Sequence, residues 1–523
     1  MSLALVLTFA TALLSHGAPA QASSIASAIR SIVARPQFAH AIVAAEVYDL
    51  DAKRPLYVRN ADVLMEAAST TKLVTTGTSL ALLGPAFRWT TPVYRTGPVD
   101  LRGVLHGDLV LVASADPNLS QRVRSDGTLA FENEDHSYDG NYNTKAVPGD
   151  PLAVLRDLAA QVARSGIKQI DGAVAIDTSL FADQGSEGGT GAIVSSIVVN
   201  DNLVDLTLTP GAKAGDPVSI AVSPQTPYVT FVNAATTGPA KSEPTIDLPS
   251  DKTNPDGSHT VTITGAMPVG KAILYSYRVP EPQRYAQAAF VVALQDAGVT
   301  VRAPSGAAFF SHDAVAPSYV PANLVARHVS PPLSEDVYVT LKVSDNLHAA
   351  LMPYLWAVYV AQAKSGLLKA AFACERALLS GAGLDLRGAA QQDGLGTFAF
   401  FTPRFMVSYL AWVSRQAWFS SLERGLPIMG VDGTLFNIQN GVPAAGHVRA
   451  KTGTWTSANS LDGNELVTKG LAGYITTSHG RHVAFAFYIN RMAGKGSVDS
   501  SRDAVHYAGQ TLGEMASDVY DAL

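Results

Sequence analysis

A single cysteine, Cys374, among 523 residues rules out an intrachain disulfide and a metal site built from cysteines. It lies in the apolar stretch from Ala370 to Leu379, where a small buried hydrophobe is the expected role. Charge is also scarce: Asp, Glu, Lys and Arg make up 16% of the chain, the net charge is −6, and no dense Lys/Arg run occurs. That balance argues against a nucleic-acid partner and against electrostatic docking on an anionic membrane. No apolar run reaches the roughly 20 residues that a membrane-spanning helix needs, which leaves only peripheral membrane attachment open. The twelve histidines show no His-Glu-x-x-His or comparable spacing, and no glycine-rich phosphate loop is present, so neither a metal nor a cofactor is expected.

What is present is apolar material and turns. Hydrophobic residues make up 47% of the chain, with 43 Gly and 29 Pro, at a length that calls for two or three domains. Residues 1–22 carry an apolar run, Leu3 to Leu14, followed by small residues with an A-x-A cleavage pattern at Ala18-Pro19-Ala20 or Ala20-Gln21-Ala22. This reads as an export signal, although no Lys or Arg precedes the run, and it places the protein in the periplasm or another extracytoplasmic space.

The two ends of the chain resemble each other in character and differ from the middle. Ala41 to Leu50 and the residues around Tyr57 read as a hairpin, and Ser69 to Leu83 reads as a helix stopped at Gly84-Pro85. From about 91 to 325, short β-branched runs alternate with Gly, Pro and Asp turns. Ser186 to Gly191 and Pro249 to Ser258 are expected to be flexible loops, and Pro151 to Ser165 a helix. Beyond 326, helices are expected at Asp345 to Lys364 and Pro403 to Trp418, then strands at Val448 to Lys451, Leu471 to Thr476 and His482 to Tyr488, and a last amphipathic helix from Ser500 or Ser501. One α+β domain (23–90 and 326–523) split by a β-rich insert of one or two domains (91–325) is the simplest architecture.

Three short motifs follow in order: Ser69-Thr70-Thr71-Lys72, Ser344-Asp345-Asn346 and Lys451-Thr452-Gly453. Ser-x-x-Lys at a helix start puts Lys72 one turn beyond Ser69 on the same face. A serine hydroxyl needs a base, and a lysine serves only if burial and a neighbouring cation lower its pKa. Lys451 would be that cation and would bind an anionic substrate terminus. Ser344 can relay a proton, Asn346 can bond a substrate amide, and Gly453 leaves room for substrate backbone. The N–H groups of Ser69 and Thr454 can form an oxyanion hole. Singly, such motifs are weak: Ser165-Gly166-Ile167-Lys168 and Ser457-Ala458-Asn459 repeat two of them. Their order and their helix and strand contexts give them weight. Asp393 and Asp432 lie beside glycines in turn-like contexts, where structural roles are expected.

The chain resembles the class C low-molecular-mass penicillin-binding proteins, the D-Ala-D-Ala carboxypeptidase/endopeptidase family. Beyond the three motifs, the resemblance is carried by Ala67 to Thr76, Leu83 to Trp89, Gly107 to Leu109, Ala115 to Leu119, Leu426 to Leu435 and Val448 to Thr454. Ser69 and Ser344 stand 275 positions apart, and a large insert there is a mark of that family. The resemblance implies a β-lactamase/transpeptidase-like domain, with an antiparallel sheet flanked by helices plus a helical subdomain. It implies Ser69, Lys72, Ser344, Asn346 and Lys451 as catalytic residues and Thr452, Gly453 and Thr454 as substrate-binding ones. Peptidoglycan stem peptides would be the substrate and β-lactams the acylating inhibitors. Two departures stand out: Gln392 to Thr397 lacks the family's serine pair, and no tryptophan stands near Phe181. A serine β-lactamase, a transpeptidase and a non-catalytic envelope binding protein of the same fold are the alternatives.

Overall fold

Alternating side-chain size along the strands sets the layering of the site-bearing domain. The computed structural model describes residues 18–302, 312–461, 465–493 and 501–523. The expected leader lies outside the described residues up to position 17; its last residues fall in helix α1 (Ala18–Val33). Strands β1 (Ile42–Asp49) and β2 (Arg54–Arg59) form the expected hairpin. Helix α2 (Thr71–Leu83) follows, preceded by a tight turn over Ala68–Thr70. After the insert come α3 (Leu333–Lys342), α4 (Asn346–Leu355), α5 (Leu367–Gly381) and α6 (Pro403–Val413). Strands β3 (Val448–Ala458), β4 (Glu465–Thr476) and β5 (His482–Ala493) and helix α7 (Ser501–Ala522) complete the fold.

The five strands make one antiparallel sheet in the order β2-β1-β5-β4-β3, so that strands from the two ends of the chain pair side by side. Val43, Ala45 and Val47 of β1 and Val483, Phe485 and Phe487 of β5 pack on one face with Ile25 and Ile29 of α1 and Leu512 and Met515 of α7. Ala44, Ala484 and Ala486 point to the opposite face, where they join Leu73 and Val74 of α2 and Tyr409 of α6. Strand periodicity thus sends alternate residues to two layers, and the small Ala44, Ala484 and Ala486 leave α6 space close to the sheet.

Between the two halves of the sheet, a separate core spans Val93 to Ala326 and gathers Leu109, Leu111, Leu155, Leu158, Leu206, Leu208, Phe290 and Leu294. Short sheets enclose it with the helices Ala153–Arg164 and Pro282–Asp296. The fold is therefore α+β and β-lactamase/transpeptidase-like, with a large β-rich insert.

Several local expectations change. The helix expected through Lys364 is α-helical to Leu355, with Pro353 inside it, and continues as a π-helical turn over Trp356–Val360. Pro249 to Ser258 is not a free loop: Asp247–Thr253 is a strand paired with His259–Thr264 across a turn closed by the Asn254 N–H on the Ser258 carbonyl. Cys374 is half-buried, not buried, because the phase of α5 turns Ala371, Glu375 and Leu379 inward. The strand that starts at Val448 does not end at Lys451 but runs on to Ala458.

Candidate active site

The nucleophile turn, the α3–α4 junction and the edge strand β3 converge on one ammonium group. Lys72 is fully buried, and its Nζ lies 3.0 Å from Ser69 Oγ, 2.8 Å from the Ser344 carbonyl, 3.1 Å from Ser344 Oγ and 2.5 Å from Asn346 Oδ1. Burial lowers its pKa to about 8, although Asp345, Glu187 and Asp393 pull it upward. Lys451 Nζ donates to Ser344 Oγ at 2.8 Å and to the Thr452 carbonyl at 2.8 Å. Burial first, then the charges of Lys72 and Lys469, hold it well below the usual lysine range. Ser344 Oγ thus sits between two lysines. The turn that places it there is left-handed, with φ +65° at Ser344, and Asp345 caps α4 by accepting the His348 N–H at 3.0 Å.

Gly453 lies against the nucleophile turn: a Cβ there would meet the Ala67 carbonyl at 2.5 Å and the Thr70 nitrogen at 3.2 Å, so its empty side admits that turn. Gly396 does the same from the other flank, where a Cβ would come 2.1 Å from the Ala68 carbonyl. Its loop is tied by Asp393, whose carboxylate accepts the N–H groups of Leu395, Gly396, Thr397 and Phe398. Asp432 binds Lys342 Nζ at 2.6 and 2.7 Å and accepts the Ile428 N–H. Both acids serve the scaffold, as their turn contexts suggest. Near Phe181 no tryptophan is needed for packing, since that ring stacks on Tyr354 at 5.3 Å.

In front of Ser69 lies a cleft of about 620 Å³. Thr452 and Thr454 line it, but the lysine on its wall is Lys469, whose Nζ donates to Thr454 Oγ1 at 2.5 Å. Burial lowers Lys469 to about 8. Sequence reasoning missed this residue, since a lone lysine in a strand ordinarily reads as solvated; its pairing opposite Thr454 in the β3–β4 ladder is what brings it in. The insert was missed in the same way. Asn133, Glu134, Asp135, Tyr138, Gly188 and Gly189 all line the cleft. Gly189 approaches Asn346 so closely that a Cβ would stand 1.9 Å from its Nδ2. The loop expected to be free at Ser186 to Gly191 is wound about Glu187, whose carboxylate accepts the N–H groups of Gly189, Thr190 and Gly191. The duplicate motifs do nothing comparable: Ser165 and Lys168 are exposed, and so is Ser457.

A serine beside a buried lysine of lowered pKa, set between a helix start and the edge of an antiparallel sheet, defines a serine acyl-transferase of the β-lactamase/transpeptidase type. The model of the D-Ala-D-Ala carboxypeptidase 3 (S13) family matches residues 25–510, and the chain belongs to that family, a serine-type hydrolase. It is 27% identical over 484 residues to a D-alanyl-D-alanine carboxypeptidase of Actinomadura sp. (strain R39), covering 88% of this chain and 82% of that one. The crystal structure of penicillin-binding protein 4 from Haemophilus influenzae has the same fold, with a TM-score of 0.68 at 21% identity over 95% of this chain and 98% of that one. The same protein complexed with a β-lactam gives a TM-score of 0.66 at 20% identity, with the same coverage of both chains. No helix among the described residues is long and apolar enough to cross a membrane.

Proposed function

We propose that the protein is an exported peptidase that cleaves the D-Ala-D-Ala bond of peptidoglycan stem peptides, or a D-centred cross-link, through an acyl-enzyme on Ser69. The observation that carries this reading is Lys72, buried, with its amine 3.0 Å from Ser69 Oγ and its pKa near 8. A neutral Lys72 takes the hydroxyl proton as Ser69 Oγ bonds to the carbonyl carbon. The N–H groups of Ser69 and Thr454 hold the oxyanion, the latter from the edge strand of the sheet. As the intermediate collapses, Ser344 passes a proton to the leaving amine, with Lys451 recharging it. Asn346 orients the acyl donor. Water then adds to the acyl carbon and frees Ser69.

Because Lys451 is turned inward, the terminal carboxylate of a carboxypeptidase substrate would rest on Thr452, Thr454 and Lys469. Residues 91–325 would fold as the insert, in keeping with their own core. A β-lactamase needs a base to activate the deacylating water. Glu187, whose charge reaches Lys72, already accepts the N–H groups of its own loop.

Intact-protein mass after incubation with penicillin tests the reading. A long-lived adduct is expected on the wild type and none on Ser69→Ala. Rapid loss of the adduct with drug turnover would favour the β-lactamase, and no adduct on folded wild type would remove the catalytic assignment.

A further inference from the structure

The Ser344 carbonyl accepts two hydrogen bonds, and the second comes from the insert: Tyr138 Oη donates to it at 2.6 Å. We propose that Tyr138 is a positioning residue of the acylation step, holding the Ser344 carbonyl so that Lys72 can carry a lone pair instead of a third proton. The inference rests on Lys72 acting as the base toward Ser69.

The argument is a count of donors. Lys72 Nζ faces four oxygens: Ser69 Oγ, the Ser344 carbonyl, Ser344 Oγ and Asn346 Oδ1. An ammonium has three protons; a neutral amine has two and a lone pair. To act as a base, the amine must aim the lone pair at Ser69 and divide two protons among the other three acceptors. A buried carbonyl left without a donor is destabilising, and here it belongs to a residue already held in the left-handed region. With Tyr138 on that carbonyl, loss of the third lysine proton leaves no orphan.

The tyrosine is built to stay a donor. Burial of its hydroxyl, reinforced by Asp345, pushes the phenol above its ordinary range, so it remains protonated wherever Lys72 titrates. Its backbone is fixed as well. Tyr138 N–H closes a turn on the Asp135 carbonyl at 3.0 Å, and the Asp135 carboxylate is clamped by Arg122 Nη2 at 2.8 and 2.9 Å. Thr144 Oγ1 donates to the Tyr138 carbonyl at 2.9 Å. The other charges acting on Lys72 are Asp345, Glu187 and Asp393, with Lys451 facing the same Ser344 hydroxyl.

Tyr138→Phe removes one oxygen from a residue that is 39% exposed, so the fold is expected to survive, and thermal melting checks this. The second-order rate of acylation by a chromogenic cephalosporin is then followed from about pH 5 to about pH 10. In the variant the carbonyl depends on Lys72 alone, which favours the ammonium. The acidic limb is expected to move up by roughly one pH unit, with a fall of roughly 10-fold at neutral pH that closes at high pH. A rate lowered equally at every pH, or an unchanged profile, with wild type acylating normally, would overturn the role of Tyr138. Absence of acylation in the wild type would instead overturn the reading of Ser69 and Lys72.

Discussion

Lys451 and Lys469 show how a single side-chain direction assigns chemistry. Both belong to paired strands of one sheet, yet Lys451 is fully buried against Ser344 Oγ, and Lys469 lines the cleft beside Thr454. Only the second can meet a substrate carboxylate by a charge-assisted hydrogen bond, an interaction of about 1.5–3 kcal/mol. Lys469→Ala is therefore expected to raise KM for peptides with a free terminal carboxylate by roughly 10-fold or more. Acylation by an amidated peptide should change little. Steady-state kinetics on the matched pair of peptides measures this, and equal losses on both would remove Lys469 from the carboxylate subsite. The residues that sequence could assign were those whose neighbours in the chain also place them, such as Ser69 and Lys72, one helical turn apart. Lys469 and Tyr138 gain their roles from partners 15 and 206 positions away, and nothing local to either marks it.

At the scale of elements, helices were read from apolar periodicity, and the same periodicity conceals what an inward polar residue does. In α5 the inward row is Ala371, Glu375 and Leu379, and the buried Glu375 accepts from Thr78 Oγ1 of α2 at 3.1 Å. Burial raises its pKa from 4.5 to about 7. Between those values the folded state holds a proton that the unfolded chain releases, so stability falls as pH rises through this window and the penalty is complete above about 7. Glu375→Gln keeps an acceptor for Thr78 without the charge. It is expected to be more stable than wild type above neutral pH by roughly 1–3 kcal/mol and about equal to it near pH 4. Melting temperatures at both pH values decide the matter; a gain at pH 4 of the same size as at pH 8 would contradict the assignment. The strands and hairpins at both ends were legible because alternation and turn residues are local signals. The β3 strand overran its expected end because Thr452 to Ala458 pair with β4 although they are mostly polar or small, with Thr456 to Ala458 exposed, and so carry no apolar alternation.

Across the whole molecule, the insert is joined to the rest by buried charge as well as by apolar packing. Arg122 Nη2 contacts Asp135 and Asp201 and stands 3.9 Å from Asp345, next to the Ser344 turn. Asp201 also meets His136 at 2.8 Å and His348 at 3.1 Å; burial alone would lower both imidazoles, but the carboxylates around them outweigh it and hold both well above their ordinary range. Asn200, Asp201 and Asn202 are all left-handed, a run that side-chain bonds from Asn200 and Asn202 to nearby carbonyls secure. Arg122→Met would leave three buried carboxylates without their shared cation. A loss of about 3–5 kcal/mol is expected, with insert and sheet domain still unfolding together. Calorimetry that resolved two transitions, only one of them shifted, would show that the two parts do not share this network. None of it could be read from the sequence, where polar residues among turns look solvated.

The order of strands in the main sheet has a consequence for how the molecule comes into being. β1 lies between β2 and β5, and the edge strand that faces Ser69 joins it only through β4 and β5. During synthesis the nucleophile helix emerges some four hundred residues before its last supporting strand, and the insert, with a core of its own, has time to fold in between. Chain closure across such a span is slow. Until it happens, Lys72 has no buried pocket to strip it of its proton and Ser69 has no base. The unclosed chain is in that sense its own zymogen, with closure of the sheet taking the place of a proteolytic cut.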